Sequence, residues 1–376
     1  MDILLLLFFF IGCFLVTFLE RKSLIPFLKW FFILPFCFIL ANRSLKVPDT
    51  EAYYEYFYDS DYTSIDDFSH SSFEIGFQFF SKVIKVIVGD NFVFYLAIIT
   101  LLNLLIIDFA TKRISYLFEI EQKNSGLQDC FYGKNRFLSN SYFSIIPLTL
   151  YVAYFGIYTN AIVLRVGIAI SLLVLIVSYA LKERKSVLDI FKIVGLFVLG
   201  YFFHATMLLG IFVVLIMFIN KSFPQKRYLW ICFIIGFVYF SNLSTLLSIS
   251  VFSFITSLNE LTVLASKMSS YEGNVVQEVG GISNKFVFYW VMAFVLIFYS
   301  SSSKIYFKLL NVYLVGLAIF ALFRSVILIE RVTDYFLTFS FIIFYIFLIT
   351  QKPHKFWLFF IPIVIVQLVF VLRITN

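Results

Sequence analysis

Between Asp189 and Ile219 the chain runs for about 31 residues with Lys192 as its only basic residue. As one straight helix this run would reach roughly 46 Å at 1.5 Å per residue, well beyond a hydrocarbon core of about 30 Å. The length argues against a single straight span, and the run is expected to break into two short helices of about 15 residues each, near His204. The basic clusters on either side, Lys182 to Lys185 and Lys221 to Arg227, then lie together on one face. Arg165, at the mouth of the preceding apolar run, shares the opposite face with His204.

Composition enters here because it says what surrounds such a run. Hydrophobic residues make up 61% of the 376 residues and charged residues only 14%, with a mean hydropathy of +0.96. No water-soluble globule hides that much apolar surface, so the expected fold is an all-α, polytopic transmembrane helical bundle. The net charge of +7 suits a nucleic-acid binder on paper. Its basic residues, however, form short clusters between apolar runs rather than a stripe, and read as topology signals, with no nucleic acid as partner. Cys13, Cys37, Cys130 and Cys232 show no CxxC spacing, and neither a disulfide, a metal site nor a cofactor is indicated.

Taken in order, Ile3 to Leu19 reads as a first span rather than a cleaved leader, because its charges Glu20, Arg21 and Lys22 follow the apolar stretch. Leu24 to Ala41 is the second span. An acidic loop follows, and Phe73, Phe77, Phe80, Ile84 and Ile87 then recur at helical spacing in an interfacial or re-entrant helix, so that residues 42–90 form a first extracytoplasmic loop. Asn91 to Ala110 is a span ending in a basic cytoplasmic loop, residues 111–141, which holds Lys112, Arg113, Lys123, Lys134 and Arg136. Spans over Tyr142–Tyr158 and Val166–Leu181 lead to the hairpin. Tyr228–Asn242 follows, then a second extracytoplasmic loop over 243–285, then Phe286–Tyr299, Tyr306–Phe323, Val332–Ile349 and Phe356–Leu372. The sum is about twelve spans, some of them short or re-entrant, in one integral membrane domain covering 1–376 with both termini outside.

A charge at membrane depth costs at least about 2.5 to 3.5 kcal/mol and is rarely kept without a use. Under this topology the ionisable residues at the outer ends of spans are Arg43, Asp49, Glu51, Glu74, Arg165, His204, Arg324, Glu330, Arg331 and Asp334. Arginines gathered on one side, beside carboxylates and one histidine, suit a polyanionic headgroup such as a pyrophosphate. Each residue also has a plainer reading. Arg43, Arg165 and Arg331 can snorkel at an interface, Arg324 can pair with Glu330 or Asp334, Asp49 and Glu51 can be solvated loop charges, and His204 can be a satisfied buried imidazole. His70 and His354 read as loop residues.

Four segments in order carry a family likeness: Arg43-Ser-Leu-Lys-Val-Pro-Asp49-Thr50-Glu-Ala-Tyr53, Glu74-Ile-Gly76-Phe, Arg165-Val-Gly-Ile-Ala-Ile-Ser171 and Phe203-His204-Ala-Thr. Together they resemble the EpsG-type branch of the Wzy polysaccharide (O-antigen) polymerases. Pro48 departs from the glycine common at that turn, and the C-terminal third matches mainly in hydropathy. The resemblance implies a membrane-embedded glycosyltransferase that joins undecaprenyl-pyrophosphate-linked oligosaccharides into a surface polysaccharide. Its active site would face the periplasmic or outer side of a bacterial inner membrane, and a chain-length regulator is a further candidate partner beside membrane lipid. Under that reading Arg165, with Arg43, Arg324 and Arg331, binds the pyrophosphate. His204 is the leading base, with Asp49 and Glu74 as further catalytic residues, and Glu51 and Tyr53 bind acceptor sugar.

Three alternatives stand beside it. An O-antigen ligase uses similar chemistry but tends to carry one large late outer loop, whereas the loop here is moderate. A lipid-linked oligosaccharide flippase needs charge spread through a central cavity. A surface-sugar acyltransferase would add a paired His and Asp or Asn motif, which this chain lacks.

Overall fold

The structure is a computed structural model that describes residues 25–58, 73–124, 145–219, 222–241, 282–324, 329–351 and 353–375. The expected first span Ile3–Leu19, the basic loop beyond residue 124, most of the second extracytoplasmic loop, Cys13, Cys130 and His70 lie outside these residues. The described chain is helical, with no strand in it. The helices are α1 (Ile25–Ala41), α2 (Thr50–Tyr58), α3 (Ile75–Val88) and α4 (Phe92–Asn124). Next come α5 (Ile146–Tyr151) and α6 (Ile157–Ala161), joined by the π-helical turn Val152–Gly156, then α7 (Leu164–Ala180) and α8 (Val187–Phe203). A 3₁₀ turn, Ala205–Leu209, leads to α9 (Gly210–Phe218), and α10 (Gln225–Phe240), α11 (Asn284–Phe298), α12 (Lys304–Leu322), α13 (Ile329–Leu337), α14 (Ser340–Ile349) and α15 (Pro353–Thr375) complete the order.

Four helical segments are long and apolar enough to cross a membrane: Phe92–Asn124, Lys304–Leu322, Ile329–Ile349 and Lys355–Arg373. Shorter apolar helices, among them Leu164–Ala180 and Asn284–Phe298, accompany them. The chain is thus an all-helical membrane protein, with fewer full-length crossings among its described residues than the dozen its hydropathy suggests. The reason is length. A 17-residue helix such as α7 covers only about 25 Å, and the run after Asp189 is spent on a hairpin.

The chain divides into two compact units, Met1–Phe218 with Phe341–Asn376, and Ile219–Ser340. In the first, α7 packs between α4 and α8 and is buried on nearly every face, with Leu173, Val174 and Ile176 fully enclosed. A helix covered all round can be apolar all round, which is why Leu164–Ala180 has no polar stripe. By contrast α8 turns Val187, Phe191 and Val194 outward, the apolar face a bilayer would cover. In the second unit α12 packs against α10, α11 and α13.

The break near His204 is where the length argument puts it. Helix α8 stops at Phe203, His204 is extended (φ −160°, ψ 124°), and the 3₁₀ turn starts at once. The ammonium of Lys185, just before α8, lies 4.7 Å from the centroid of Phe218 at the end of α9. The two ends of the run therefore meet, its arms are antiparallel, and His204 sits at the far tip. At the lysine end, Ser186 and Asp189 form a reciprocal capping box that starts α8, and Lys182 pairs with Asp189 at 2.7 Å.

Candidate functional site at the tip of the hairpin

Three distant segments of the first unit converge at that tip. Arg165, in the first turn of α7, donates from Nη1 to Glu74 Oε2 across 2.6 Å. His204 Nε2 lies 3.9 Å from the other oxygen of the same carboxylate. Glu74 therefore stands between a guanidinium and an imidazole, and all three remain partly exposed, at 21%, 24% and 19% for Glu74, Arg165 and His204. A group reached from outside yet held on several sides is what a reacting centre requires.

The local sequence explains the approach. Glu74 occupies the N-cap position of α3 but makes no cap hydrogen bond, so its carboxylate is turned to Arg165 instead. Two residues on, Gly76 meets the backbone of Phe202, and a Cβ there would lie 2.7 Å from the Phe202 carbonyl oxygen. Only glycine permits that contact, which brings the start of α3 against the end of α8 and so Glu74 against His204. Phe80 and Phe203 complete the seam edge to face, 5.4 Å apart. On the other side the Arg165 guanidinium lies 4.5 Å from the centre of the Phe73 ring, which in turn stacks on Tyr53 at 5.7 Å.

Asp49, Glu51 and Tyr53 enter from the turn before α2. Asp49 has φ 61°, the one positive φ outside glycine among the described residues, and its carbonyl accepts from Tyr53 N–H. Asp49 and Glu51 are exposed. Tyr53 is buried at 2% and interacts with Arg165 through its hydroxyl. Burial pushes the Tyr53 phenol up, and the neighbouring guanidinium opposes this only in part.

Arg43 lies deeper, 7% exposed. Its Nε donates to Thr50 Oγ1 at 2.9 Å, and its Nη1 donates to the Leu40 and Asn160 carbonyls at 3.2 Å each. Burial lowers its guanidinium to about 10, which leaves it charged at neutral pH. The contacts tie the end of α1 and the Asp49–Thr50 turn to Asn160, whose side chain accepts from Asn103 at 2.9 Å.

Arg324 and Arg331 belong to the second unit. Arg324 donates to the Tyr239 carbonyl at 2.9 Å and stacks over that residue's ring at 4.7 Å. The two carboxylates expected as partners for Arg324 both lie beside Lys285. Lys285 donates to Asp334 at 2.9 Å and lies 3.5 Å from Glu330, and Lys285 and Asp334 are both buried. Arg331 is half-buried beside this group.

Several of these partners escape a linear reading. Lys285 is the first charge of an apolar run and looks like a flank. Lys29, inside the expected second span, pairs with Asp108 of α4, which Lys112 also contacts at 2.8 Å. Asn103 is a single polar residue in an apolar run and Asn160 stands beside Thr159 in another, and a polar group in such a run is the only signal they give. Among the described residues no group of three His, Cys, Asp or Glu is placed to hold a metal ion.

The fold and this geometry define an integral membrane protein with an arginine, a carboxylate and a histidine gathered at helix ends. The family model of the EpsG family matches residues 26–376, and the chain belongs to that family, one of the Wzy-like polysaccharide polymerases. The family is associated with glycosyltransferase-like activity in polysaccharide biosynthesis. No curated protein and no solved structure matches the chain.

Proposed function

We propose that this protein polymerises oligosaccharide repeat units carried on undecaprenyl pyrophosphate, at the outer face of the bacterial inner membrane. The observation that carries the reading is the meeting of Arg165, Glu74 and His204 at the hairpin tip, opposite the lysines at its base. Lysine-rich ends stay on the cytoplasmic side, so the tip faces out.

In this reading two lipid-linked units meet at the tip, and the growing chain leaves its own lipid for the non-reducing sugar of the incoming unit. Breaking the bond between sugar and pyrophosphate develops negative charge on the leaving phosphate, which Arg165 is placed to stabilise. Glu74, with His204 beside it, is the proton-accepting group of the site, and the exposed Asp49 and Glu51 face acceptor sugar. Tyr53, being buried, supports Arg165 from behind. Arg43 is too enclosed to reach a headgroup without displacing its carbonyl partners, so its part is to hold the Asp49–Thr50 turn in place.

The test is to incubate purified protein in lipid with lipid-pyrophosphate repeat units and separate the products on a gel. A ladder is expected. A single transfer onto a lipid A core would mean a ligase, and movement of the unit across the bilayer without a covalent product would mean a flippase.

A further inference from the structure

We infer that His204 acts as a fixed hydrogen-bond donor that positions Glu74, and that Glu74 rather than the imidazole takes the acceptor proton. The second half of this rests on the polymerase reading above. The first half rests on how the histidine ring is held. His204 is the N-cap of the 3₁₀ turn that follows it, and its Nδ1 receives the backbone N–H of Thr206 at 3.2 Å. The Thr206 hydroxyl lies 2.6 Å from the same nitrogen. A backbone N–H can only donate, so Nδ1 must present its lone pair to it. The single proton of a neutral ring is then on Nε2, since the bond made by one ring nitrogen determines the state of the other.

Nε2 is the atom that faces Glu74 Oε1. A general base needs an unshared lone pair directed at the substrate, and this ring has none to offer. Its Nδ1 lone pair is spent inside its own turn, and Nε2 carries hydrogen. The carboxylate does have capacity, because each oxygen accepts more than one hydrogen bond. Oε2 is engaged by Arg165, and Oε1 is turned toward the imidazole at 3.9 Å, longer than a hydrogen bond. A phosphate arriving on Arg165 competes for that guanidinium and lets Glu74 close on the Nε2–H. In the transfer step the acceptor hydroxyl oxygen bonds to the anomeric carbon and its proton passes to Glu74. The bond from anomeric carbon to phosphate oxygen breaks, and its electron pair leaves with the lipid pyrophosphate beside Arg165.

Two substitutions separate donor from base. In His204→Gln the amide NH₂ reaches the place of Nε2–H but cannot act as a base. In His204→Asn the side-chain oxygen replaces Nδ1 as the cap, and the donor is lost. With full-length protein in lipid, His204→Gln is expected to keep polymer formation within about 10-fold of wild type, while His204→Asn and Glu74→Gln lose at least about 100-fold. Equal inactivity of folded His204→Gln and His204→Asn would make the imidazole the base and overturn the inference. The chain has only three histidines, so ¹⁵N-histidine labelling with His70→Gln and His354→Gln isolates the His204 ring. Its spectrum should be that of the Nε2–H tautomer, and an Nδ1–H spectrum would overturn the assignment with no substrate present. Should the spectrum agree while wild type builds no ladder, the polymerase reading fails, and Glu74's role as base with it, but the tautomer stands.

Discussion

The Arg165 guanidinium and the Glu74 carboxylate meet at 2.6 Å although 91 residues separate them. An arginine in the first turn of a helix opposes the helix dipole, which favours anions there. Glu74 offsets that cost, and under the proposed function an incoming phosphate would replace a carboxylate of the same charge sign. The pair is a fold contact between the start of α7 and the start of α3.

Glu74→Gln should remove activity while leaving the fold in place. The amide oxygen of Gln can still accept from Arg165, so the stability cost is about 1 kcal/mol. Polymer yield and thermal unfolding, measured on the same preparation, should diverge. A parallel collapse of both would make Glu74 a structural residue.

Gly76→Ala should act through position rather than chemistry. Its Cβ must push α3 away from the Phe202 carbonyl, costing about 1 to 3 kcal/mol and separating Glu74 from His204. Gly195, in the middle of α8, has nothing within 4 Å of the same added carbon. Gly195→Ala is the control, expected to be neutral or to gain up to about 1 kcal/mol. If the two alanines unfold at the same temperature, the close approach is not what Gly76 is for.

At Asp49 the backbone and the charge can be separated. Asn tolerates a positive φ and keeps the turn, whereas Ala adds about 1 to 2 kcal/mol of strain. Asp49→Asn should thus unfold near wild type and Asp49→Ala earlier. Whatever activity Asp49→Asn loses is then the contribution of the carboxylate alone.

In the second unit, removing one partner of Lys285–Asp334 should be worse than removing both. Lys285→Met alone leaves a buried carboxylate and is expected to cost about 3 to 5 kcal/mol, while Lys285→Met with Asp334→Leu recovers most of it. A double-mutant cycle on thermal stability reads the difference, and strict additivity would rule out coupling between the two.

The hairpin base supplies a pH prediction. The hydrogen bond from Lys182, then those from the Ser186 backbone and hydroxyl, hold the Asp189 carboxyl below its usual value of 3.8. A depressed folded pKa stabilises the fold above the unfolded value, and the benefit disappears as pH falls through the folded one. Unfolding temperature should be flat in this respect from pH 8 to about 5 and drop in acid. Asp189→Asn should flatten the acid limb. An unchanged limb would place the acid sensitivity elsewhere.

Some of this architecture can be read directly from the order of residues. The break at His204 follows from an apolar run too long for one crossing, and the shared face of Arg165 and His204 follows from basic clusters at the hairpin's base. Those inferences use only lengths and charges along the chain, quantities that do not depend on neighbours. The partners of each charge are different. Nothing in the sequence ties Lys285 to Asp334 or Lys29 to Asp108, or gives the backbone of Thr206 a part in choosing the histidine tautomer. Which residues are charged, and that the run after Asp189 must break, was therefore determined by the sequence alone. That Glu74 is the group standing between Arg165 and His204 was decided by the tertiary structure, because a glycine two residues away lets one helix start against the end of another.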